Sequence, residues 1–137
     1  MRNRITPKVA MLLTLLLAFA LTSTPALATS TVVTFRSADS TYEVGLYVGG
    51  GSKENDGIAG AMIRWPGYEH SDLPFTGAKY HMDKEHTRAS AKFVNPGDPK
   101  YPPCFTVEIE GRSGRLTIGK QVIPGSASWI VGPYAYP

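Results

Sequence analysis

The chain has very little cysteine: one residue, Cys104, in 137. No internal disulfide can form, so packing alone must hold the fold. Cys104 follows Pro102-Pro103 at the start of an alternating apolar segment. It reads as a half-buried small hydrophobe, with a bridge to another chain and a catalytic thiol as the other two readings; no helix N-terminus is at hand to lower a thiol's pKa. A surplus of one charge sign is also missing beyond the N-terminus. The formal net charge of +3 resides in Arg2, Arg4 and Lys8, and residues 29–137 carry equal numbers of cations and anions. A nucleic-acid partner would call for a surplus of Lys and Arg on one face, and no such cluster appears along the sequence. No segment keeps a 3.6-residue apolar period for three turns, which argues against an α-helical domain.

The sequence has one long apolar run, Val9 to Leu21. It is shorter than the ~20 residues a membrane span needs. The basic front before it and Thr22-Ser23-Thr24-Pro25-Ala26-Leu27-Ala28 after it complete the pattern of a secretory signal peptide, with cleavage expected before Thr29. Residues 1–28 are therefore read as a cleavable signal and 29–137 as one domain, secreted or periplasmic. The short leucine-rich signal with its Ala-x-Ala end points to a bacterial source. No cysteine follows the apolar run, so lipid attachment there is not expected.

Period-two alternation recurs through the rest of the chain. It runs through Thr31–Phe35, Tyr42–Val48, Ala61–Trp65, Ala89–Phe93, Phe105–Glu110, Leu116–Ile118 and Trp129–Val131, with glycine and proline between. The expected fold is all-β: a single antiparallel β-sandwich or flattened β-barrel of about seven to eight short strands. Gly111-Arg112-Ser113-Gly114 predicts a hairpin and Asp56-Gly57 a turn closing the polar loop that starts at Gly49. Residues 66–87 read as largely irregular, with a short strand at Ala78–Met82. Four prolines within residues 95–103 exclude helix and central strand there.

Chemistry-bearing patterns are sparse. His70, His81 and His86 fall close together with Asp72, Asp83 and Glu85. His70, His81, Asp83 and His86 are the candidate metal ligands, yet their spacing matches no zinc motif and a polar surface loop explains them. Gly49-Gly50-Gly51-Ser52-Lys53 lacks the phosphate-loop spacing. No G-x-S-x-G elbow is present. Glu108 and Glu110 share one strand face about 7 Å apart, the arrangement of a solvated face unless a cleft surrounds them. No cofactor is called for.

Aromatic side chains are the richer signal. Trp65, Tyr68, Tyr80, Tyr101, Trp129, Tyr134 and Tyr136 suit either a core or an interface. Thr76-Gly77-Ala78-Lys79-Tyr80 resembles the Ser-Gly-x-x-Tyr loop of periplasmic lysozyme inhibitors, small β-barrels that insert this loop into the enzyme's cleft. The resemblance covers five residues, with Thr in place of Ser, and it implies an inhibitor-like loop that projects Thr76 and Tyr80 outward. The function expected is that of a non-enzymatic exported binding protein acting through loops, inhibitor-like or immunity-like, on a protein or glycan partner. Tyr68, His70, Thr76, Lys79, Tyr80 and Tyr101 are its candidate contacts. A carbohydrate-binding module using exposed Trp and Tyr, a metal-binding protein using His70, His81 and His86, and a small secreted hydrolase are the alternatives.

Overall fold

A computed structural model describes residues 30–49, 55–73 and 77–135. The signal-peptide segment and Thr76 lie outside them. The chain forms β1 (Ser30–Ser37), β2 (Glu43–Val48), β3 (Ile58–Trp65), β4 (Tyr68–Asp72), β5 (Ala78–Met82), β6 (Arg88–Phe93), β7 (Phe105–Glu110), β8 (Ser113–Ile118) and β9 (Gln121–Trp129). All nine lie in one antiparallel sheet, ordered β4-β3-β2-β1-β9-β8-β7-β6-β5, curled into a half-barrel. The all-β antiparallel expectation holds; in place of a sandwich or flattened barrel of seven to eight strands there is one curled sheet of nine.

Two strands differ from the alternation pattern. β4 occupies Tyr68–Asp72, a stretch that reads as irregular because its residues are polar. β9 covers Gln121–Trp129, whereas Ile130 and Val131 lie beyond its end. Pro124 hides this strand in the sequence, since proline cannot donate to a ladder. Its position resolves the conflict. Ala127 donates its N–H to Arg112 on the β8 side. By alternation the N side of Pro124 faces β1, and β1 pairing ends one residue earlier, at Ser37–Gly125. No ladder bond is lost.

The hairpins follow from turn chemistry. Glu110 pairs Ser113 and Ile118 pairs Gln121, leaving Gly111-Arg112 and Gly119-Lys120 as two-residue loops. Gly111 and Gly119 open these loops at φ 61° and 60°, the position at which a type II′ turn requires glycine. Consecutive strands are neighbours in the sheet throughout, except β4 and β5. Following the antiparallel pairings round the sheet, β4 and β5 point the same way. Leu73 still donates to Ala61 on β3, and Gly77 already accepts from Val94 beyond β6. The two edge strands of the sheet, β4 and β5, thus run in the same direction.

Alternate residues point inward and fill the half-barrel. Val33, Phe35, Val44, Leu46, Ile58, Ala61, Ile63, Val107 and Leu116 are fully buried. Aromatic rings close one end: Trp65 meets Phe105 edge-on at 5.3 Å between centroids, Tyr42 at 5.8 Å and Tyr68 at 6.4 Å, and Phe93 meets Phe105 and Tyr101. At the other end the Trp129 indole donates to the Gly111 carbonyl at 2.7 Å.

β1 joins the two halves of the sheet, and its Phe35 ring lies against Gly125 and Gly114 on the inner face. A Cβ at Gly125 would stand 2.3 Å from the Arg36 carbonyl oxygen and 2.7 Å from the Phe35 ring. The backbone oxygen cannot swing aside. Gly125→Ala is therefore expected to cost about 1–3 kcal/mol or more by overpacking, read as a fall in Tm. Gly97→Ala, in open space in a loop at positive φ, is the comparison for backbone strain without a clash. An unchanged Tm for Gly125→Ala would contradict this packing.

Candidate functional site

The strands β1, β3, β6 and β8 end, and β2, β4, β7 and β9 begin, at the aromatic end of the half-barrel. The turns there are 38–42, Pro66-Gly67 and Gly119-Lys120, together with the longer loop 94–104. That loop is the most heavily organised segment of the described surface. Asn95 Oδ1 accepts the N–H groups of Gly97 and Asp98 at 2.7 and 2.8 Å. Its Nδ2 donates toward the carbonyls of Asp98, Tyr101 and Pro102 at 3.0, 3.1 and 2.8 Å. Asp98 in turn accepts the Lys100 N–H. One asparagine side chain thus holds both limbs of a loop whose four prolines already limit its freedom. Cys104 is exposed rather than half-buried, and its Sγ accepts the Asn95 N–H.

The structure brings Tyr68 and Tyr101 to this end, each partly buried through ring contacts with Trp65 and Phe93. Among the described side chains it does not bring Lys79 and Tyr80 there. Tyr80 points inward and is 4% exposed, opposite to the outward projection expected of it. Burial pushes its phenol well above the usual range, and the nearby Tyr47 and Asp72 add to that. Lys79, its neighbour in sequence, faces outward on β5. His70 lies in β4. Both tryptophans are buried, at 4% and 3% exposure, so neither offers a face on which a sugar could stack.

The metal candidates are held apart or otherwise occupied. Asp83 organises the β5–β6 turn: its carboxylate accepts the N–H groups of Thr87 and Arg88 at 2.8 and 2.9 Å and also the Thr87 hydroxyl. Burial alone would raise its pKa, but these hydrogen bonds outweigh it and hold the carboxyl below the usual value. His86 sits in the same turn at φ 58°. His81 is exposed, 3.5 Å from Asp56. Among the described residues no group of three His, Cys, Asp or Glu is placed to hold a metal ion. Glu108 and Glu110 face outward, and each is matched to an arginine, Arg115 at 2.6 Å and Arg88 at 3.1 Å, beside a shallow depression that also includes Ser90 and Ser113.

Asn95 and Asp83 escaped the sequence reading as organising residues. The signal was present: Asn-Pro-Gly-Asp is a run in which an asparagine side chain bonds its own backbone two residues on. Comparison with protein-family models, with curated proteins and with solved structures finds no match.

The Asp83 turn gives a pH test. A carboxyl with a folded pKa below its unfolded value adds stability that is present above the unfolded value and is lost as pH falls through the folded one. Asp83→Asn is expected to lower Tm at pH 7, and the gap to the unsubstituted protein should close as the pH drops below about 4. A gap independent of pH would show that the charge is irrelevant to the turn.

Proposed function

We propose that this is an exported, non-enzymatic binding protein that meets its partner, a protein or a glycan, with the loop end of the half-barrel. The observation that carries the reading is the set of hydrogen bonds around Asn95. Loops mounted on a rigid sheet are where binding residues concentrate. A loop held in one shape before contact loses less freedom on binding. Most of this loop is exposed, so its internal bonds fix a surface rather than a core. Tyr68 and Tyr101 supply aromatic edges beside it, and the turn Pro66-Gly67 adds a second rigid projection. The interior of the half-barrel is filled by side chains, which directs recognition to the outside. The signal-like residues 1–28 support export.

Site-specific photo-crosslinking in the producing cell tests this. A photoreactive residue at Pro99, in the loop, is expected to trap a partner outside the cytoplasm, on a chain beginning at Thr29. The same residue at Lys84, at the opposite end, is expected to trap none. Asn95→Ala should reduce trapping at Pro99 by loosening the loop, with binding weakened by about 1–3 kcal/mol. Trapping from position 84 alone, or a cytoplasmic chain that keeps Met1, would overturn the reading.

A further inference from the structure

Nearly every arginine on the outer strand faces stands beside a carboxylate. Glu43 bridges Arg36 and Arg64, both at 2.9 Å, Glu110 meets Arg88 and Glu108 meets Arg115. One place breaks this rule. Lys79 on β5 and Lys92 on β6 are direct cross-strand partners, both exposed and both pointing outward. Like charges in that position are destabilising.

Among the described residues none stands beside the pair to relieve it. The row continues across the sheet as Lys92–Thr106, Thr106–Thr117 and Thr117–Val122, with no carboxylate. Toward the loop end the next outward position on β6 is Val94, half exposed. Toward the other end the neighbours are His81, Ser90 and Glu108, and Glu108 is held by the guanidinium of Arg115 through two hydrogen bonds at 2.8 and 2.6 Å. Lys120 stands at the β8–β9 corner of the loop end. Five strands about 4.8 Å apart give a strip about 19 Å long measured along the curved outer face. It offers ammonium groups at one side and hydroxyls in the middle.

We propose that this strip, Lys79–Lys92–Thr106–Thr117, binds a linear polyanion carrying repeated phosphate groups. The proposal concerns a face separate from the loop end and does not rest on the reading of that end. Charge complementarity selects the occupant. Two ammonium groups at the spacing of adjacent strands, left without carboxylates, suit successive anionic groups along a chain, and the threonine hydroxyls donate to its oxygens. A protein partner would require a buried aromatic or arginine anchor, which the strip lacks.

Long-chain inorganic polyphosphate is the probe, offered to the purified protein beside uncharged dextran and vesicles of anionic phospholipid. Polyphosphate is expected to bind at low salt, with affinity falling as salt rises. Lys79→Glu should weaken it by about tenfold or more while raising Tm, because it turns a repulsive cross-strand pair into an attractive one. Lys84→Glu changes net charge equally but lies in the β5–β6 turn at the opposite end, and it should leave binding nearly unchanged. Three results would overturn the proposal: no polyphosphate binding at low salt, equal losses in Lys79→Glu and Lys84→Glu, or tighter binding to the vesicles than to polyphosphate.

Discussion

The N–H groups of Tyr80 and Met82 point away from β6 and would be left as an open edge if the sheet lay flat. Asn55 Oδ1 and Asp56 Oδ2, from the turn that leads into β3, accept them at 3.4 and 3.1 Å. Unpaired edge amides invite pairing with another chain, and here side chains from the far side of the sheet occupy them instead. On the strand so tied down, Tyr80 points inward and Lys79 outward. Asp56 can do this because it adopts φ 52° just before Gly57, a conformation that aspartate tolerates better than most residues. The same carboxylate lies beside His81, so this histidine belongs to the edge of the sheet.

Within that frame the sheet is sealed at its centre by Phe35. Its ring presses on two glycines that face each other on β8 and β9, and close-packed interiors leave no slack for an added methyl. The outer ion pairs contribute far less. Exposed pairs of this kind are each worth about 0–1 kcal/mol, and their use lies in keeping the outer face neutral and well paired. Against that background the Lys79–Lys92 opposition stands out.

The alternation of Phe105, Val107 and Ile109 with Thr106, Glu108 and Glu110 made β7 legible from the sequence, and the same holds for β2, β3 and β6. β4 was not legible, because Tyr68-Glu69-His70-Ser71-Asp72 has no apolar alternation; backbone pairing with β3 alone makes it a strand. β9 was masked by Pro124 and Gly125, each acceptable for reasons that lie in neighbouring strands. Tyr80 looked like an interface residue because its neighbours are polar. Its direction depends on the parity of β5, which the register with β6 fixes. The likeness of Lys79 and Lys92 depends on register, and no local pattern reveals it. The organisation of loop 94–104 was the reverse case: its prolines marked it as stiff, and Asn95 fixes which shape is kept.

The loop end and the Lys79–Lys92 strip belong to one sheet, and the strip depends on β5 staying docked across the seam. Amide hydrogen exchange tests that docking directly. In the unsubstituted protein the Tyr80 and Met82 amides should be protected to the same degree as amides of β6. In the double variant Asn55→Ala, Asp56→Gly, where glycine keeps the positive φ accessible, those two amides should exchange much faster while β7 and β8 stay protected. Rapid exchange at Tyr80 and Met82 in the unsubstituted protein, or no change in the variant, would contradict a seam closed by these side chains.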